Sequence, residues 1–288
     1  MAARNKHLLA FFSRSLTHFQ SSSSPFQILC TLLPHEAQGQ QIDDPRPLPP
    51  SQPVPHLTIL DSSFNPPTAA HRDMALSATT ASPSSRILLL LAVQNADKAP
   101  RPAPFELRLC MMEALAREIL HHHHAAGVAG SVAAVDVGVT TRPYFHDKAR
   151  AVRESGFYAG LGDVTFLAGF DTLIRVLEPR YYGGEEGMAE ALDPFFGLSR
   201  LRVTMRPGGG WGGVEEQEGY LGGLQGGGGY RTEWSGRIEL VEGSGGSVGV
   251  SSSRVRELVS QGKTQDLESL VGRDVEQFIR AEELYKEG

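Results

Sequence analysis

The run RILLLLAV, Arg86 to Val93, constrains the fold more than any other stretch of this chain. A strand with one wet face alternates apolar and polar side chains, whereas this run is apolar on both faces. Such a strand belongs inside a parallel sheet covered by helices on each side. Other short runs repeat the signal. HLTIL, SVAAVDV, DVTFLA, LRVTM and RIEL read as strands. Between and after them, PTAAHRDMALSAT (opened by Pro67), PFELRLCMMEALAREIL, YFHDKARAVRES, DTLIRVL, SSRVRELVSQG and DVEQFIRAEELY read as helices. Strands alternating with helices predict an α/β fold, an open and mostly parallel sheet with helices on both faces.

Composition narrows the function class. The 288 residues carry a formal charge of -6, which argues against a protein that grips a nucleic-acid backbone. No apolar run approaches the roughly 18–20 residues needed to cross a bilayer, so neither nucleic acid nor membrane is expected as a partner. Cys30 and Cys110 stand far apart in apolar contexts and read as small buried hydrophobes, with no zinc or disulfide pattern. His121 to His124 read as a solvated helix end.

Three segments are set off. Residues 1–34 combine basic residues and serines with Leu8, Leu9, Phe11, Phe12, Leu16 and Phe19 at helical spacing. They fit first a helical extension packed on the domain, with a mitochondrial targeting segment of the same composition as the alternative. A cytoplasmic or nuclear location is expected, with mitochondrial targeting the alternative. Residues 35–55 are a Pro- and Gln-rich linker, and 56–288 form the main domain. An insertion at 207–236, about one-third glycine, is expected not to order itself, because it has too little apolar surface to bury.

The stretch LDSSFNPPTAAH, Leu60 to His71, carries the chemistry. In an open parallel sheet, ligands bind beyond the carboxyl ends of the strands. Ser62 and Ser63 stand there, small enough to bring backbone N–H groups close to an anion. The helix expected to start near Pro67 offers unpaired N–H groups and a positive dipole end. Thr68 and His71, three apart, share one face and can both donate to phosphate oxygens. Ser251, Ser252 and Ser253 sit where a second helix needs an N-cap, which makes a second anion site. Arg254 and Arg256, two apart, point in different directions, so one of them faces the ligand.

SSFNPPTAAH resembles the G-S-F-N-P-x-T-x-x-H signature of the Rossmann-like nucleotidyltransferase superfamily, and of the nicotinamide mononucleotide adenylyltransferases in particular, in a divergent fungal-type branch. Further segments are similar in the same order: VQNADKAP with Lys98, PFELRLCMMEAL with Arg108, FLAGFDTL with Gly169 and Asp171, VTMRPG with Arg206, and VSSSRVRELVSQGK with Arg256. The resemblance runs from about Leu57 to Tyr285. It implies that ATP and nicotinamide or nicotinic acid mononucleotide give NAD, or its acid analogue, and pyrophosphate. It implies His71, Arg256 and Lys98 as catalytic residues. Ser62, Ser63, Phe64, Thr68, Ser252 and Ser253 join His71 and Arg256 around ATP, and Lys98, Gly169, Asp171, Arg206 and Tyr144 serve the substrate. Mg2+ arrives with ATP, held by phosphates and water, so no all-protein metal site is expected.

The chain departs from the family at Ser62, where glycine is usual, and in TTRPYFHDKAR and EPRYY, where the family's aromatic residues hold the pyridine ring. Tyr144 or Phe145 can stack in their place, or pack in the core. Two other readings stay open: the same fold with another acceptor or with ATP hydrolysis, and a regulatory nucleotide-binding protein of low turnover. Intact Thr68, His71 and Arg256 weigh against the last. The sequence leaves the oligomeric state open.

Overall fold

A computed structural model describes residues 2–34, 45–78, 85–93, 103–125, 132–207, 210–224, 229–243 and 249–286. Seven strands form one sheet: β1 Phe26–Leu32, β2 His56–Asp61, β3 Arg86–Ala92, β4 Ala134–Thr140, β5 Asp163–Gly169, β6 Ser199–Thr204 and β7 Ile238–Val241. Their spatial order is β1-β4-β3-β2-β5-β6-β7, parallel throughout except for β1, which runs antiparallel to β4. The helices are α1 Ala2–Ser21, α2 Ala69–Ser77, α3 Phe105–Ala125, α4 Phe145–Glu154, α5 Phe170–Val176, α6 Glu185–Leu198, α7 Val214–Gly223, α8 Ser252–Ser260, α9 Leu267–Val271 and α10 Arg273–Ala281. This is the Rossmann-like α/β architecture, with helices on both faces.

The β3 run behaves as its composition requires. Ile87, Leu89 and Leu91 point into one core with α1, α3, α8 and α10, while Leu88 and Leu90 point into the other with α4, α5 and α6. The chain leaves β2 toward β3 and β4, then returns to place β5 on the other side of β2. The sheet therefore opens between the carboxyl ends of β2 and β5, where helices on opposite faces diverge and leave a crevice.

Three expectations need correction. First, residues 26–32 of the N-terminal extension form an edge strand of the main sheet. Phe26, Ile28, Cys30 and Leu32 are buried, and Thr31 Oγ1 donates to buried Asp136 of β4 at 2.6 Å. A run without charge avoids the cost of burying an ion, and its buried Thr31 hydroxyl is satisfied by Asp136, so it closes the β4 edge. Ahead of it, α1 lays Leu8, Phe12 and Phe19 on the same core as α3. Second, the described part of the insertion is ordered. Trp234 is buried, donates from Nε1 to Asp193 Oδ1 at 3.0 Å and packs on Phe196, while Gln217 is fully buried and accepts from Arg206 N–H at 3.0 Å. A composition averaged over the segment hides these anchors among the glycines. Third, α2 begins two residues later than its proline signal. Thr68 is extended, with φ -132° and ψ 167°, and serves as the N-cap.

The linker's described residues lie along the sheet. Thr31 N–H donates to Arg46 O, Leu48 N–H donates to Thr31 Oγ1, and Gly162 N–H donates to Val54 O. Among the described residues no helix is long and apolar enough to cross a membrane.

Candidate functional site

A cavity of about 330 Å³ opens in the crevice between β2 and β5. Asp61, Ser62 and Ser63 form one wall, Ala168, Gly169 and Asp171 a second, and Tyr144, Phe145 and Lys148 of the α4 start a third. His71, Arg206, Ser251 and Ser252 add to the polar lining. Asp61 ends β2 and Gly169 ends β5, so a lattice of buried backbone hydrogen bonds fixes two of these walls. The second wall is close at its glycine: a Cβ at Gly169 would stand 2.8 Å from Asp171 Oδ1 and would displace that carboxylate.

After β2 the chain turns sharply. Ser62 N–H still reaches Leu90 O at 3.3 Å, Phe64 is left-handed with φ +43°, and the Asn65–Pro66 bond is cis. The Phe64 ring is buried and lies 5.3 Å from the His71 ring. Phe64 supports the loop from beneath and does not line the cavity.

His71 is the third residue of α2, where its ring can fold back on the N-cap. Thr68 N–H donates to Nδ1 at 3.1 Å, and Thr68 Oγ1 lies 2.8 Å from the same nitrogen. A backbone N–H can only donate, so Nδ1 is an acceptor and carries no proton. The neutral ring must then hold its proton on Nε2. Nε2 lies 2.9 Å from Ser62 Oγ at the cavity wall. Burial, helped by the nearby Arg206 cation, pulls the His71 pKa down to about 4, so the ring is neutral at pH 7. Thr68 is itself buried and turned to His71. It orients the ring and is not among the cavity-lining residues, whereas the sequence predicts that both residues face an anion.

The second helix start meets the first. Ser251 caps α8, its Oγ accepting from Arg254 N–H at 3.2 Å. Ser252 Oγ donates to Pro66 O at 2.7 Å. Arg256 donates from Nη1 to Asn65 O at 2.7 Å and from Nη2 to Ser253 Oγ at 3.1 Å. Ser253 and Arg256 thus border the loop and are not among the cavity-lining residues. Arg254 is exposed beside Glu257. Arg108 is buried, donates to Ala103 O at 2.8 Å and does not line the cavity. Asp171 lines the cavity but is paired with Arg175 at 2.9 Å. Lys98 lies outside the described residues.

Sequence reasoning missed one element of the wall. Lys148 of α4 and Asp61 of β2 form a buried ion pair at 2.5 Å that lines the cavity. The available signal was spacing: Lys148 falls four residues after Tyr144, on the same helix face. Aromatic rings gather beside this pair. Tyr144 stacks on His146 with centroids 5.7 Å apart and planes at 10°, Tyr182 leans on both, and Tyr181 and Tyr182 reach the cavity. Phe145 lines the cavity too and packs on core Phe166 at 5.2 Å. Among the described residues there is no group of three His, Cys, Asp or Glu side chains that could hold a metal ion.

No protein-family model matches the chain. It is 32% identical over 233 residues to a Schizosaccharomyces pombe protein described as "Putative nicotinamide mononucleotide adenylyltransferase", covering 80% of this chain and 86% of that one. The chain belongs to the nicotinamide mononucleotide adenylyltransferase family. It is a nucleotidyltransferase. Among solved structures it is similar to the Plasmodium falciparum nicotinic acid mononucleotide adenylyltransferase complexed with NaAD, with a TM-score of 0.50 and 13% identity over 80% of this chain and 97% of that one. The same enzyme complexed with APC gives a TM-score of 0.51 and 13% identity over 80% and 96%. At that identity the likeness speaks to the fold.

Proposed function

We propose that the protein transfers the adenylyl group of ATP to nicotinamide mononucleotide or nicotinic acid mononucleotide. An oxygen of the mononucleotide 5′-phosphate bonds to the α-phosphorus of ATP. The bond from that phosphorus to the oxygen bridging the β-phosphate breaks, and pyrophosphate leaves with that oxygen. A phosphate monoester has a second pKa of about 6, so the nucleophile is largely a dianion at pH 7 and needs no general base. The protein's task is to align two polyanions and stabilise charge on the transferring group.

The observation that carries this reading is the neutral His71 ring, with its Nε2 proton held at the cavity wall between two helix N-termini. A donor fixed before the substrate arrives needs no reorganisation as charge develops. The Ser62 hydroxyl and the Ser63 backbone N–H on the cavity wall, with Ser252 at the α8 start, bind ATP phosphates beside it, while the Ser62 N–H stays on Leu90 O and Phe64 supports the loop from beneath. Arg206 stands exposed at the mouth as a counter-charge. Arg256 spends two guanidinium donors on Asn65 and Ser253 and keeps three for the polyphosphate tail. Lys98 neutralises phosphate charge. Gly169 and Asp171 bound the nucleotide, and Tyr144 stacks on the pyridine ring. Magnesium enters as the ATP complex. Both cavity carboxylates, Asp61 and Asp171, are already engaged by cations, which fits a metal carried in by the substrate.

The test is dinucleotide formation from ATP, magnesium and each mononucleotide, with His71→Ala as control. Wild-type turnover is expected, with a loss of roughly 10²–10³-fold in the variant, the magnitude of removing one preorganised donor. ATP binding without dinucleotide from either mononucleotide would overturn the reading.

A further inference from the structure

Among the described residues, three that are not glycine have positive φ: Phe64 at +43°, Glu283 at +51° and Tyr285 at +65°. Phe64 is far in sequence from the other two, yet the segment that carries Glu283 and Tyr285 reaches the Phe64 loop through Tyr285. Tyr285 OH donates to Asn65 Oδ1 at 2.8 Å, on the residue next to Phe64. The same Asn65 offers its carbonyl to Arg256, and Pro66 offers its carbonyl to Ser252. The loop is thus held through its backbone by α8 and through the Asn65 side chain by the segment after α10.

That segment is built to reach the loop at some local expense. Helix ends usually place glycine or asparagine in the left-handed position, because a Cβ strains it. Here Glu283 occupies it, Leu284 N–H closes back to Ile279 O at 3.0 Å, and Leu284 and Tyr285 pack on the core beneath α10. Burial pushes the Tyr285 hydroxyl upward in pKa against the pull of Arg108 and Arg256, so it stays a donor at neutral pH. Strained backbone persists only where its surroundings over-determine it, and it gathers at ligand clamps.

We infer that the segment after α10 is a strap whose Tyr285 acts as a positioning residue, holding residues 62–65 through Asn65 in the shape that receives the phosphates of ATP. The inference rests on the proposed ATP role of that loop. A pinned loop binds without first losing its freedom; an unpinned one must order itself as ATP arrives. The strap contacts the ATP side of the site and leaves the aromatic wall untouched. Its loss therefore weakens ATP and spares the mononucleotide.

The test is Tyr285→Phe, which removes one oxygen and keeps the ring. ATP affinity is measured directly by calorimetry with magnesium, so the result stands whether or not dinucleotide is formed. A loss of about 5-fold is expected, the span of one hydrogen bond, with the KM for mononucleotide within twofold of wild type. In a double-mutant cycle, Tyr285→Phe added to Asn65→Ala is expected to cause no further loss. Unchanged ATP affinity in Tyr285→Phe, additive losses in the cycle, or an equal rise in both substrate KM values with a lowered Tm would each overturn the strap.

Discussion

At His71 two neighbours settle where a proton sits. Thr68 N–H occupies Nδ1, so Nε2 keeps the hydrogen and directs it at Ser62 Oγ on the cavity wall. The same burial makes His71 an acid-sensitive element of the fold. Its folded pKa is about 4 against an ordinary value of 6.5. As pH falls through this window the unfolded chain takes up the proton first, so stability declines from about 6.5 toward 4. His56, His122, His123 and His146 are also lowered, chiefly by burial, and act in the same direction. His71→Asn is expected to lose less Tm than wild type between pH 7 and pH 5; parallel curves would show that the imidazole does not titrate in this way. Activity should follow another group. The acid limb of its pH profile is expected near about 6, where the mononucleotide phosphate gains its second proton. That Thr68 and His71 share one face was legible from a spacing of three; that they bond each other was not, because it depends on Thr68 being the N-cap. The direction of Arg256 was not, because its partner Asn65 O lies 191 residues away.

Helix α4 joins the aromatic wall of the cavity to β2 through one ion pair. Lys148 and Asp61 are both nearly inaccessible, and each is tolerable there because of the other. Lys148→Met should therefore lower unfolding free energy by about 3 kcal/mol, since it leaves a buried carboxylate alone. Adding Asp61→Leu should recover most of that loss. Urea titrations of the two variants read the difference, and a double variant less stable than the single one would refute the pairing argument. Strands β2 to β7 and most of the helices between them were legible because each is a run of one period bounded by turn residues. The 14-residue α6 was not: Pro194 sits inside it and masks the helical period, although Leu192, Phe195 and Phe196 pack in the core. Likewise α7 is nearly as glycine-rich as its surroundings, and what orders it is tertiary, through Gln217 and Tyr220.

On the scale of the molecule, the N-terminal residues are structural members of the catalytic sheet. Asp136, fully buried in β4, accepts from Thr31 of β1, Arg86 of β3 and Tyr158 after α4. Arg86 in turn donates to Leu48 O in the linker. A chain beginning at residue 56 would lose Thr31 and Leu48 from this network. It would also expose the β4 edge and the surface of α3 that Phe12 and Phe19 cover. Such a chain is expected to be insoluble or to unfold at much lower urea than the full chain; equal stability would show that β1 is dispensable. Sequence composition placed these residues outside the domain because antiparallel pairing over a long separation leaves no local trace.

The Asp136 network also sets an order of events during synthesis. Thr31 leaves the ribosome 105 residues before its acceptor, a wait of roughly 5–20 s at about 5–20 residues per second. Until then β1 is an apolar strand with no edge to join, and the polypeptide must be kept from other partners. The contact of Tyr285 with the loop after β2 forms only after all seven strands have been synthesised. A growing chain can thus complete its sheet well before its nucleotide pocket takes final form.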